Sequence, residues 1–240
     1  MQKDTFSLND IYTYFIDGKI KLPLIQRGFV WRPYQIENLW DSLLRGYPIG
    51  SIVLHPRQEN NQKFFELLDG QQRITAICLG MLDRNNENIQ RDILKLQTKN
   101  MRIFIDLVKP NPEDTRKYIF RVITRSHPWG YKKNDNTRTL EVKKIREALE
   151  EIGKKHNTKI EKYYEMPLEN FYPYDAVKPY PWDLFMNASN LEYLKKSLEE
   201  WERKYWNGQE RNKDEIECYK IEDIYELVNE IRNVKKIPAI

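Results

Sequence analysis

The segment Leu67-Leu68-Asp69-Gly70-Gln71-Gln72-Arg73-Ile74-Thr75-Ala76 sets a carboxylate, a glycine, two carboxamides and a guanidinium between two apolar runs. Side chains alternate along a strand, so a strand ending here puts Phe65, Leu67 and Asp69 on one face and Glu66 on the other. Gly70 permits a sharp turn, and Gln71, Gln72 and Arg73 then fill the first turn of a helix. Backbone N–H groups in that turn have no helical partners, and the helix dipole favours anions there. Arg73 adds a planar fork matched to phosphate oxygens. Asp69 is placed to hold a magnesium ion or to position an attacking water. This chemistry is phosphate handling. The same letters also fit a plain capped turn, with Asp69 as N-cap, Gln72 completing a capping box and Arg73 on a surface carboxylate. Spacing alone leaves both readings open.

Two further clusters carry polar chemistry. In "LPLIQRGFVWRP", Gln26, Arg27 and Arg32 lie between an extended segment and a helix start, with Gly28 leaving the backbone approachable. An amide and a guanidinium beside a helix start repeat the first loop's chemistry, so the two loops are expected to converge on one polyanion. The alternative makes the arginines ordinary surface pairs, worth little in stability, and Trp31 a core anchor. In "TRSHPWGYKK", Arg125, His127, Trp129, Tyr131, Lys132 and Lys133 interleave basic and aromatic side chains, as nucleic-acid stacking and phosphate contacts require. His127 also qualifies as a proton shuttle, although a lone histidine is more often structural. Cys78 and Cys218 are far apart and have no metal-ligand spacing, which predicts reduced, structural thiols and a cytoplasmic protein.

These residues need elements to hold them. Ser7 and Asp10 form a capping-box pattern before a short helix that Gly18 stops. Pro33 opens a second helix and Gly46 follows it, with Ile36, Leu39, Trp40, Leu43 and Leu44 on one face. "GSIVLH" and "FFELL" read as strands on either side of the polar loop "PRQENNQK", and "DGQQRITAICLGMLDR" as a largely buried helix. "MRIFIDL" and "YIFRVIT" are further strands. Amphipathic helices are expected over 139–153, 191–205 and 221–234, the middle one capped by Ser189 with Glu192. The aromatic-proline run "NFYPYDAVKPYPWDLF" is expected to be a packed, extended surface loop. "KKIPAI" reads as a last strand with nothing after it, as though the chain were cut there.

The 240 residues suit one large domain. The class is α+β, with a mixed half over 1–125 and a mainly helical extension of the same domain over 126–240. No apolar run approaches the roughly 20 residues that span a bilayer, and the N-terminus has no signal-peptide pattern. The net charge is +4, yet between Lys109 and Glu165 fifteen Lys and Arg face nine Asp and Glu. A basic middle segment suits a polyanion such as DNA, or simply a set of solvated helix faces.

"LPLIQRGFVW", "LWDSLLRGYPIGSIVL" and "LLDGQQRITA" together resemble the N-terminal domain of GmrSD-type restriction endonucleases, also catalogued as domain of unknown function 262, in the ParB/sulfiredoxin-like superfamily. The three motifs cover about the first eighty residues in the family's order. The resemblance implies a ParB/sulfiredoxin-like fold and a module that binds and hydrolyses an NTP (GTP or ATP) with Mg2+, in defence against phage DNA carrying modified bases. It places the family's aspartate-glycine-glutamine-glutamine-arginine motif on Asp69, Gly70, Gln71, Gln72 and Arg73, and its glutamine-arginine pair on Gln26 and Arg27. The family's later segment with a phenylalanine, an asparagine and a glycine pair has no counterpart before Ile240, and neither has its histidine-asparagine nuclease domain. The expected function is therefore an NTP-dependent sensor and regulatory domain. A non-catalytic DNA-binding adaptor is the alternative, followed by a ParB-like metal-dependent nuclease.

Overall fold

Ser7 starts the first helix as its side chain predicts. Its hydroxyl accepts the Asp10 N–H at 3.1 Å, and the Asp10 carboxylate accepts the Ser7 N–H at 2.8 Å, closing a capping box on α1 (Leu8–Ile16). The computed structural model describes residues 4–22, 28–84, 92–132, 138–205, 216–233 and 237–239. Pro33 opens α2 (Pro33–Leu44), and its five apolar stripe residues are all buried. Gly46 follows in a left-handed conformation, φ 73°.

The described strands form three small sheets, in an α+β fold. β1 (Asp4–Phe6) pairs antiparallel with β8 (Ile237–Ala239). The second sheet has the order β2-β4-β3, with β2 (Ile20–Lys21) parallel and β3 (Val53–Glu59) antiparallel to β4 (Gln62–Asp69). The third has the order β6-β5-β7, antiparallel throughout, from β5 (Met101–Asp106), β6 (Ile119–Thr124) and β7 (Pro179–Pro181). The remaining helices are α3 (Gln71–Met81), α4 (Asp92–Asn100), α5 (Val142–Lys155), α6 (Trp182–Asn187), α7 (Leu191–Tyr205) and α8 (Ile221–Asn233). Residues 126–240 are woven into the first half: β7 completes the sheet of β5 and β6, and β8 closes on β1. None of the described helices is long and apolar enough to cross a membrane.

Three local expectations change. The polar stretch read as a loop between two strands is itself mostly strand. It turns at Asn60 and Asn61 alone, with φ 48° and 61°, the pair of positive values a two-residue hairpin turn needs. Residues 55–63 of the arm are all exposed, so its outer part lacks the apolar alternation that marks a strand. The aromatic-proline run is no surface loop: Phe171, Tyr180, Trp182 and Phe185 are buried, and 179–187 form β7 and α6. Pro179 and Pro181 are tolerated because β7 is an edge strand, where a missing N–H breaks no ladder. Finally, Asn190, not Ser189, caps α7, its carboxamide oxygen accepting the Tyr193 N–H at 2.8 Å.

The core centres on aromatic contacts between elements distant in sequence. Trp182 meets Phe120 at 4.9 Å and Trp40 at 5.3 Å between ring centroids. α3 lies close against this group at Gly80, where an added Cβ would stand 2.3 Å from the Trp40 ring. α2 also covers the open edge of β6 with two buried carboxylates one turn apart. Asp41 accepts the N–H groups of Lys117 and Tyr118 (3.1 and 2.8 Å), and Glu37 accepts that of Val122 (2.9 Å). Buried backbone donors at a sheet edge need such acceptors.

Candidate functional site

β4 carries the chain to Asp69, and Gly70 turns it at φ 95° into α3. An added Cβ at Gly70 would lie 2.9 Å from Cγ2 of Ile52, so strand and helix can meet this closely only at glycine. Ile52 is held from behind, its N–H donating to the Pro238 carbonyl in β8 at 3.0 Å. Gly70, rather than Asp69, is the N-cap, and it offers no side-chain acceptor to the first turn.

A polar cleft of about 360 Å³ opens over this turn, lined by Trp31, Leu68 and the whole run from Asp69 to Arg73. Arg73 is fixed by the Ser51 carbonyl, which accepts from one terminal guanidinium nitrogen at 2.6 Å. The same nitrogen stands 3.3 Å from the Asp69 carboxylate. Gly50 comes equally close, since an added Cβ there would lie 3.4 Å from the guanidinium. Asp69 is 71% exposed at its side chain and Arg73 25% exposed. An ion pair this exposed is worth about 0–1 kcal/mol, less than the roughly 1.5–3 kcal/mol of a hydrogen bond to a charged group.

Gln72 plays a different part from the one its exposed-looking sequence context suggests. Its side chain is buried, and its carboxamide oxygen accepts the N–H groups of Val30 (2.8 Å) and Trp31 (3.2 Å) while its nitrogen donates to the Gly28 carbonyl (3.0 Å). Gln72 thus clamps the described part of the second loop to the helix start, bringing the two loops together. Neither end of its carboxamide is aimed at a ligand; it is a positioning residue. Gln71 is also buried and lines the cleft. Gln26 and Arg27 lie outside the described residues.

The third cluster is arranged differently. Trp129 is only 8% exposed, packed on Tyr163 with its indole N–H donating to Thr139 at 3.3 Å. That ring is core rather than a stacking surface for bases, which corrects its expected role: tryptophan burial wins over display. Arg125 donates to the Met166 carbonyl, and Lys132 reaches Glu141 at 3.4 Å. His127 stacks on Tyr131 at 5.0 Å, and its Nδ1 lies 3.0 Å from the Ser126 hydroxyl. Burial holds its pKa below the ordinary histidine value. Lys133 lies outside the described residues. None of this loop's described residues lines the cleft.

Sequence reading missed Gly50, Ser51 and Ile52, which back Arg73 and Gly70 behind the cleft. Their only signal was a glycine just before a strand. A family model described as the GmrSD restriction endonuclease, N-terminal domain, matches residues 8–237. The chain is also similar to the uncharacterized protein MJ0686 of Methanocaldococcus jannaschii, 26% identical over 168 residues, covering 61% of this chain and 28% of that protein. The chain thus spans well under half of that relative's length. The family match runs from the first residue of α1 into β8 and takes in every described wall of the cleft; this chain belongs to the family of GmrSD restriction endonuclease N-terminal domains.

Proposed function

We propose that the cleft over the start of α3 binds the phosphates of a nucleoside triphosphate with magnesium, and that the chain is the nucleotide-dependent sensing and regulatory domain of a restriction system acting on DNA. The observation that carries this reading is a strand-to-helix turn at Gly70 that lines a polar cleft with the start of α3, with the Arg73 guanidinium anchored at its side. Backbone N–H groups and a guanidinium are a donor set suited to an anion. Arg73 and the N–H groups of Gln71 to Arg73 hold phosphate oxygens, and Gln26 and Arg27 contribute from the second loop. Gln71 borders the ligand, and Gln72 keeps the two loops in register.

Magnesium would enter with the nucleotide rather than on a site of its own. Among the described residues no group of three or more His, Cys, Asp and Glu side chains is placed to hold a metal ion alone. Asp69, exposed at the cleft mouth, would share the ion with the phosphates, as Mg2+ commonly requires. When bound, magnesium neutralises charge on the phosphate oxygens. DNA carrying modified bases is the substrate this reading supplies, and a histidine-asparagine nuclease in another domain or subunit is its partner.

One observation favours the second reading. Arg73 pairs with Asp69, as a merely capped turn predicts, and the chain would then be a DNA-binding adaptor without nucleotide. Thermal-shift titration with GTP and ATP, each with and without Mg2+, separates the two. A stabilisation that rises with nucleotide, disappears in Arg73→Ala and loses its magnesium-dependent part in Asp69→Ala is expected. No shift with any nucleotide, alongside salt-dependent DNA binding, replaces the first reading with the second.

A further inference from the structure

The hairpin arm of β3 and β4 makes a second concavity, at the far end of β4 from the cleft. Its inner face continues the core face of the sheet: Leu67 is buried, and Phe65 and Lys63 follow on the same side. Pro56 and Gln58 lie across from them. Tyr14 from α1 and Lys19 from the turn after it form the opposite wall, and Arg57 completes a groove of about 530 Å³. Three cations and three aromatic rings, with Phe64 the third, line it, and no carboxylate does. Asp17 and Glu66 pair with Lys19 (3.6 Å) and Arg57 (2.9 Å) from outside the lining.

Cations already rest on these rings. The Lys19 ammonium lies 5.2 Å from the Tyr14 ring centre, and the Lys21 ammonium 3.9 Å from that of Phe64. A groove that alternates ammonium groups with ring surfaces matches a sugar-phosphate backbone carrying exposed bases. A duplex offers the phosphates but keeps its base faces stacked, and an acidic peptide offers charge without flat rings. We propose that this groove binds an unpaired DNA strand, with phosphates on Lys19 and Lys63 and a base against Tyr14. The proposal rests only on the DNA-acting part of the reading above. Asp69 lies six steps along β4 from Lys63, roughly 20 Å at about 3.3 Å per residue, so groove and cleft are separable by mutation.

Fluorescence anisotropy with a labelled twenty-nucleotide oligothymidylate and a duplex of equal length, across a salt series, tests this on the whole chain. Tighter binding of the single strand is expected. In the Lys19→Glu, Lys63→Glu double variant, affinity should fall at least tenfold and the salt dependence should flatten by roughly the slope of two phosphates. Tyr14→Leu should weaken binding with little change in the salt slope. The double variant should keep the nucleotide-induced thermal shift of the unmodified chain, which shows that it is folded. Absence of single-strand binding, equal binding of the duplex, or affinity unchanged in the double variant each overturns the proposal. Lysine-dependent strand binding by a chain that shows no nucleotide shift would leave the groove standing and remove the nucleotide site.

Discussion

Asp69 and Arg73 stand 3.3 Å apart across the first turn of α3, the carboxylate largely in water and the guanidinium mostly covered. In this pairing each occupies the other's place for a ligand. On the proposed reading, a phosphate would take Arg73 more readily once magnesium draws Asp69 away. Asp69→Asn should therefore strengthen, or leave unchanged, nucleotide binding without metal while abolishing the gain from Mg2+. Arg73→Ala should weaken binding tenfold or more in either condition, as loss of a charged hydrogen bond predicts. Calorimetric titration with and without Mg2+ checks both.

Gln72 separates stability from affinity. Gln72→Ala leaves the Val30 and Trp31 N–H groups without their acceptor, a loss of about 1–3 kcal/mol. Gln72→Glu keeps the acceptor, loses the donation to Gly28 and brings a negative charge to the cleft. The second variant should melt closer to the unmodified protein than the first, yet bind nucleotide more weakly. Melting and titration of the two variants side by side measure the split.

Gly80 tests the packing behind the site. In most helix interiors Gly→Ala stabilises by about 0.5–1 kcal/mol. Here the new methyl would enter the buried Trp40 ring at 2.3 Å. Overpacking of about 1–3 kcal/mol outweighs the propensity gain, so Gly80→Ala should lower Tm. A raised Tm would show that the contact between α2 and α3 yields easily.

His127 and His156 make stability depend on pH in one direction. Burial depresses both folded pKa values below 6.5, helped at His156 by Lys155 and Lys204. The unfolded chain therefore binds protons that the folded chain refuses. Their contribution is intact above about pH 6.5 and is lost as pH falls through the lower folded values. Tm should decline between pH 7 and pH 5, and His127→Gln should flatten part of that decline.

Local signals placed much of the fold. The Ser7 capping box, Pro33 at the start of α2, the apolar stripes of α2 and α7, and Gly70 at a turn were legible because each depends on neighbours within one or two turns of chain. The Asn60–Asn61 turn was less legible, since the outer part of its arm has no buried face to impose alternation. β7 escaped notice because its prolines argue against a strand unless it is known to lie at an edge.

Within the site, the sequence by itself determined the run of residues from Asp69 to Arg73 and its strand-to-helix setting, a consequence of local backbone geometry. Tertiary structure alone decided what each side chain does. It buried Gln72 and turned it into a clamp, brought the Ser51 carbonyl to Arg73, and set Ile52, backed by β8, against Gly70. It also took Trp129 into the core. Those outcomes depend on contacts between segments tens to hundreds of residues apart, which no local spacing encodes.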